Sequence, residues 1–292
     1  MLGDSLTQFG YEGWAGDLAD RYQRRADVLN RGMSGYNTRW FLRHAAAGTT
    51  TGGIWGEAGA VALVTIWFGA NDAATLDQNV PLGEYRTNLA ALVARSREAY
   101  PDAGILLITP PPVAENQRIA YHKAELRGGE IGTTTTTYES AVADGTVAVR
   151  TNGTTGSYAA ACKAVAAESG VPCLDLFSVF TEAAAKAAKA KAGETSGGGG
   201  DDGGLEGFFT DGLHFGPEGH AVVAKALTET IGREFPDLAV RPCPVTGQFN
   251  NSGSACGSNL LTSSGPYHDD IKRAQQKKRD WREAFAATAT TE

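Results

Sequence analysis

Residues 60–69 read AVALVTIWFG, the most hydrophobic run of the chain. Its apolar residues do not alternate with polar ones. That pattern predicts a strand buried on both faces, as in a parallel sheet covered by helices. Two further runs look the same, AGILLITP (103–110) and VPCLDLF (171–177), and ADVLN (26–30) is a shorter one. Helical patterns lie between them. Trp14, Leu18 and Tyr22 recur every four residues, and Leu82, Tyr85, Leu89, Leu92 and Val93 keep helical spacing. Pro217 opens another helix, with Val222, Val223, Leu227 and Ile231 on its apolar side. This alternation predicts an α/β fold with a parallel sheet between helices.

The 292 residues are 42% hydrophobic, enough for one domain with a full core and some extensions. A net charge of -7 argues against nucleic acid as a partner, since phosphate contacts need clustered Lys and Arg. No run of about 18 apolar residues is present, so no membrane span is expected, and no basic-then-apolar signal segment opens the chain. Cys162, Cys173, Cys243 and Cys256 lack the paired short spacings of a zinc site. Reduced cysteines in a cytoplasmic protein are expected, with a Cys243–Cys256 disulfide as the competing reading.

Three stretches interrupt the pattern. Residues 113–157 contain GGEIGTTTTTYES and TNGTTG and read as a loose polar excursion. Residues 183–204 pass from an Ala/Lys helix into GETSGGGGDDGG, a flexible linker by composition. Residues 241–292 hold NNSGSACGSN and the basic IKRAQQKKRDWREAF. They read as a partly disordered tail with a basic helix, appended to a domain of residues 1–240.

Chemistry concentrates in short polar blocks beside the apolar runs. Gly3-Asp4-Ser5-Leu6 is a turn after the first expected strand, which puts Ser5 at a strand's carboxyl end, where open α/β sheets bind ligands. A serine nucleophile needs a base. Of the five histidines only His214, in TDGLHFGPEGH, has an aspartate three residues upstream, Asp211, able to hold the imidazole from the same loop. His220 falls on the following helix and reads as structural. Asn71, in FGAND (68–72), ends the most hydrophobic strand, where a side-chain amide could donate to an oxyanion. Gly35, in RGMSGYNT (31–38), could offer a bare backbone N–H at the same edge. Read singly, each block is also an ordinary turn. Loop 73–81 and the excursion 113–157 are expected to flank the entrance.

Taken in order, GDSLTQFG, VLNRGMSGYNTRW, TIWFGAND, LITPPP and DGLHFGPEGH resemble the GDSL/SGNH hydrolase superfamily, most closely the isoamyl acetate-hydrolysing esterases. The likeness covers roughly residues 1–112 and 155–235. It implies a three-layer, flavodoxin-like fold with five parallel strands. It implies Ser5 as nucleophile, His214 as base and Asp211 as its partner, with the Ser5 N–H, the Gly35 N–H and the Asn71 side chain as the oxyanion hole. It also implies hydrolysis of small carboxylic esters through an acyl-enzyme, with no metal and no organic cofactor.

The pattern departs from that family at its start. The family has an apolar strand directly before the GDS turn, whereas here only Met1 and Leu2 precede Gly3, so the first strand is expected to be truncated. A truncated, weakly active homologue serving as a binding protein is therefore one alternative. A metallophosphoesterase using Asp4, Asp72, Asp211 and His214 is another, opposed by the shortage of histidines. A nucleophile-elbow α/β-hydrolase is discounted because no Gly-x-Ser-x-Gly occurs.

Overall fold

The structure, a computed structural model, describes residues 1–46, 55, 60–75, 77–128, 150–194 and 202–240. Five strands, β1 (Leu2–Gly3), β2 (Arg31–Gly32), β3 (Leu63–Trp67), β4 (Gly104–Ile108) and β5 (Cys173–Leu174), form one sheet in the order β2-β1-β3-β4-β5. Every pairing is parallel. The expected doubly wound order is therefore present, and the strand order reverses beside β1.

The helices are α1 (Ser5–Gln8), α2 (Trp14–Arg21), α3 (Thr38–Ala46), α4 (Leu82–Ala99), α5 (Glu115–Gly128), α6 (Asn152–Ser169), α7 (Leu176–Glu194) and α8 (Pro217–Glu234). Successive residues of the central strands feed opposite layers, as the two-residue period of a strand requires. Trp67, Leu106 and Ile108 pack with Trp14, Leu18, Phe180, Val223 and Leu227 in one core cluster. Val64, Ile66, Ile105 and Leu107 pack with Phe41, Tyr85, Leu89, Tyr158 and Val165 in the other. Burial on both faces from Val64 to Phe68 explains why that part of AVALVTIWFG carries no alternation.

Two expectations need correction. ADVLN (26–30) is not a strand, and the paired residues are the next two, Arg31 and Gly32, opposite Leu2 and Gly3. A parallel strand exists only where a neighbour pairs with it, and β1 offers two residues there. β3 is paired with β4 along all five residues, but with β1 only at Ile66 and Trp67. Beside this short pairing, at the amino ends of the strands and away from Ser5, a cavity of about 640 Å³ is lined by Met1, Leu29, Val61 and Leu63 among others.

The second correction concerns 113–157, whose two ends are ordered. Val113 and Ala114 are buried, and α5 and α6 follow and precede residues 129–149. The ends are laced together. The Val113 N–H donates to Asn152 Oδ1 at 2.8 Å, Asn152 Nδ2 donates to the Val113 carbonyl at 2.9 Å, and the Asn152 N–H donates to Glu115 Oε1 at 2.7 Å. Polar composition misled here because asparagine and glutamate serve as helix-end partners. In the second stretch, α7 runs to Glu194 and is the Ala/Lys helix expected at the start of 183–204. The tail 241–292, the Cys243–Cys256 pairing and the Gly-rich run 195–201 lie outside the described residues.

Candidate functional site

Ser5 opens α1 immediately after β1, and Asp4 is the N-cap, its Oδ1 accepting from the Leu6 N–H at 2.9 Å. That bond satisfies one orphan donor of the first turn. Burial pushes the Asp4 carboxyl up to about 7, opposed by the Leu6 N–H and reinforced by Asp72. The neutral acid is thus the form the fold prefers. Stability from this group is fully present below the unfolded value, near 3.9, and is lost as pH rises through about 7. At 1.36 kcal/mol per unit, ionising Asp4 costs the fold up to about 4 kcal/mol. Asp4→Asn keeps the capping oxygen and removes the charge. It is expected to raise Tm by about 5 °C at pH 8 and to match the wild type at pH 4, on the usual scaling of Tm with stability. Thermal melts at the two pH values check this; equal Tm at pH 8 would refute it.

His214 comes from a tight turn between Phe209 and Phe215, which bridge each other antiparallel. Asp211 Oδ1 accepts from the Leu213 and His214 N–H groups at 2.9 and 2.7 Å, an Asx turn that leaves Oδ2 for other partners. Gly212 lies inside this turn at φ +84°, and a Cβ there would stand 2.5 Å from the Arg118 nitrogen. Phe215 stacks on Phe180 and Trp67, with ring centroids 5.3 and 5.8 Å apart, which ties the turn to the core.

The three side chains form one hydrogen-bonded line. His214 Nδ1 donates to Asp211 Oδ2 at 2.8 Å, and Nε2 accepts from Ser5 Oγ at 3.0 Å. Ser5 and Asp211 are buried, while the His214 side chain is about one-third exposed. Burial alone would raise the Asp211 carboxyl, but hydrogen bonds from the His214 ring and backbone, with the Arg118 charge, hold it well below the usual range. Arg118 donates to Asp211 Oδ2 at 2.5 Å from α5.

Gly35 and Asn71 sit at the same edge. Met33, two residues before Gly35, donates its N–H to the Gly3 carbonyl at 2.8 Å, and Asn71 follows β3, whose Trp67 pairs with Gly3. Gly35 has φ +78°, a left-handed conformation that suits glycine. Asn71 Nδ2 donates to the Tyr36 carbonyl at 2.9 Å, which leaves its second N–H. Among the described residues neither the Ser5 nor the Gly35 N–H has a hydrogen-bond partner.

The metal-ligating alternative fares poorly. Asp72 Oδ1 accepts from the Thr38 N–H at 3.0 Å and from the Thr38 hydroxyl, Asp4 caps α1 and Asp211 holds His214, and among the described residues no three His, Cys, Asp or Glu side chains are grouped as a metal ion would require. His220 lies on α8 and its Nδ1 accepts from the Trp14 N–H at 3.5 Å, a packing role. Two site residues escaped the sequence reading. These are Arg118, behind Asp211, and Arg150, behind Asn71. Both lie in the stretch read as loose, and an isolated arginine in polar sequence carries no periodic signal.

Comparison with known proteins agrees with the geometry. The profile of the GDSL-like lipase/acylhydrolase family matches residues 1–222. An Arabidopsis thaliana GDSL esterase/lipase is 35% identical over 89% of this chain and 93% of its own length. A Bos taurus isoamyl acetate-hydrolyzing esterase 1 homolog is 34% identical over 82% of each chain. Among solved structures, an acetylxylan esterase from Geobacillus stearothermophilus superposes with a TM-score of 0.51 at 18% identity, over 79% of this chain and 92% of its own. That last likeness speaks to the fold alone. Among the described residues no helix is long and apolar enough to cross a membrane. Motif blocks, sheet order, profile and relatives coincide, and the chain belongs to the GDSL-like lipase/acylhydrolase family.

Proposed function

We propose that the chain is a serine esterase that hydrolyses small carboxylic esters, acetate esters of simple alcohols foremost, through an acyl-enzyme. The observation that carries this is the unbroken line from Asp211 Oδ2 through the His214 ring to Ser5 Oγ, at 2.8 and 3.0 Å. The Ser5 oxygen attacks the ester carbonyl carbon as its proton passes to His214 Nε2. Asp211 fixes the tautomer and stabilises the imidazolium. The oxyanion of the tetrahedral intermediate is met by the Ser5 and Gly35 N–H groups and by the second N–H of Asn71 Nδ2, three donors at one edge. The carbon–oxygen bond to the alcohol breaks, and the alcohol leaves with the proton from Nε2. Water then repeats the sequence on the acyl-serine and releases the acid. The preference for acetate rests on the bovine relative, named for isoamyl acetate hydrolysis. No step calls for a metal.

A fluorophosphonate probe followed by peptide mapping tests the assignment, together with a series of p-nitrophenyl esters from acetate to laurate with and without EDTA. The label is expected on Ser5 and not on Ser34, the acetate ester is expected to turn over fastest, and EDTA is expected to change nothing. A label on Ser34, or activity lost to EDTA and restored by Mn²⁺ or Zn²⁺, overturns the reading.

A further inference from the structure

Arg150 is a charged residue buried among the groups that frame the oxyanion position, and no step of the mechanism above uses it. Its side chain is tied at three points. Nε donates to the Ala70 carbonyl at 2.9 Å, and one terminal nitrogen donates to Asn71 Oδ1 at 2.9 Å and to Gln78 Oε1 at 2.8 Å. Gln78 in turn donates from Nε2 to the Gly35 carbonyl at 2.8 Å. One guanidinium therefore reaches both oxyanion donors other than Ser5: the Asn71 amide directly, and the Gly35 peptide through Gln78.

The chemistry of these contacts gives the network a single direction. An arginine side chain has only donors and does not deprotonate in proteins. Whatever faces it must be an acceptor, so Asn71 must turn Oδ1 toward Arg150 and Nδ2 away. The far side agrees, since the Tyr36 carbonyl accepts from Nδ2. An amide flipped by 180° would set Nδ2 against the guanidinium and Oδ1 against the Tyr36 carbonyl, losing both bonds. It would also present an acceptor where an oxyanion needs a donor. The same logic fixes Gln78, whose oxygen is claimed by Arg150, so that its nitrogen must face Gly35. The tethered carbonyl belongs to the residue at φ +78°, which restrains the loop that carries the Gly35 N–H. A buried charge is costly, and keeping one here is understandable if it sets the orientation of polar groups.

We propose that Arg150, acting with Gln78, is a positioning residue of the oxyanion hole, locking the Asn71 amide nitrogen and the Gly35 peptide toward the reacting carbonyl. The proposal rests on the oxyanion-hole reading given above, and its test separates the two. The variants Asn71→Ala, Arg150→Met, Gln78→Leu and the doubles combining Asn71→Ala with each of the others are assayed on p-nitrophenyl acetate. Circular dichroism melts accompany the assays. Arg150→Met is expected to lower kcat by about 10- to 100-fold with KM within about threefold, because a transition-state contact is weakened. Asn71→Ala is expected to cost about 10²–10³ in kcat, as for one lost oxyanion donor. In the Asn71→Ala background, Arg150→Met should cost less than half its single-variant effect on a logarithmic scale, the mark of groups that act through one another. Gln78 is only half-buried, and Gln78→Leu should lower kcat about three- to tenfold. It decides the matter should Arg150→Met fail to fold. If Asn71→Ala is slow while the folded Arg150 and Gln78 variants keep wild-type kcat, or if the doubles are strictly multiplicative, the positioning role is overturned and the hole survives. Wild-type kcat in Asn71→Ala overturns both.

Discussion

Ser5→Ala is expected to lower kcat for a short-chain ester by about 10⁶, the largest loss any single substitution should produce in this chain. The side chain proposed to form the covalent intermediate is then gone, and a methyl group cannot replace it. The environment of the substitution is undemanding. Ser5 is buried at the first position of α1, its hydroxyl contacts His214 Nε2, and the N-cap bond of α1 comes from Asp4 rather than from Ser5. The variant should therefore melt close to the wild type, and its loss can be assigned to chemistry. His214→Ala should cost a similar factor, and the double variant little more than either single one, because residues of one proton-transfer line act as a unit. The residual rate, about 10³–10⁴ over water, should come from the oxyanion donors and binding alone. Steady-state hydrolysis of p-nitrophenyl acetate by purified, melt-verified variants measures this. A Ser5→Ala protein within about tenfold of the wild type would exclude the acyl-enzyme route.

Ser5, Gly35, Asn71, Asp211 and His214 stand out in the sequence because each lies in a short polar block, and the blocks in order resemble those of the GDSL-like family. Strand ends at one edge of a parallel sheet converge whatever lies between them, so block order carries much of the site. The supporting groups are legible only in three dimensions. Arg118 reaches Asp211 from α5, and Arg150 reaches Asn71 from the turn before α6. Neither has a spacing to announce it, and Asn152, which laces these two segments together, looks like any other loop asparagine. The composition of 113–157 reads as solvent-facing, yet its ends hold groups that frame the candidate site. The position of β2 was out of reach for another reason. Pairing is a property of two strands, and the hydrophobicity of 26–30 says nothing about how much of β1 stands opposite.

Asp211→Asn is expected to lower kcat by about 10⁴ while leaving Ser5 and His214 in place, the usual size of a tautomer error in such a line. The carboxylate has two separate duties. Oδ1 accepts from the Leu213 and His214 N–H groups and shapes the turn, and an asparagine oxygen can do the same. Oδ2 accepts from His214 Nδ1 and from Arg118, and an asparagine puts an NH₂ there. That group can only donate to Nδ1, which forces the proton onto Nε2. The imidazole then offers Ser5 Oγ a hydrogen where it needs a lone pair, and the nucleophile is not activated. The NH₂ also meets the Arg118 guanidinium donor to donor, in a spot where both side chains of the wild-type pair are largely buried. The variant should consequently lose stability, by about 1–3 kcal/mol for an unmet charged partner, and Arg118→Met placed on Asp211→Asn should recover part of the Tm without recovering kcat. That split is the informative outcome, because it separates the structural duty of the pair from the tautomer control. It is measured by thermal melts and by hydrolysis of p-nitrophenyl acetate on the same preparations. An Asp211→Asn enzyme that keeps more than about a tenth of wild-type kcat would mean that the ring is oriented by something other than Asp211.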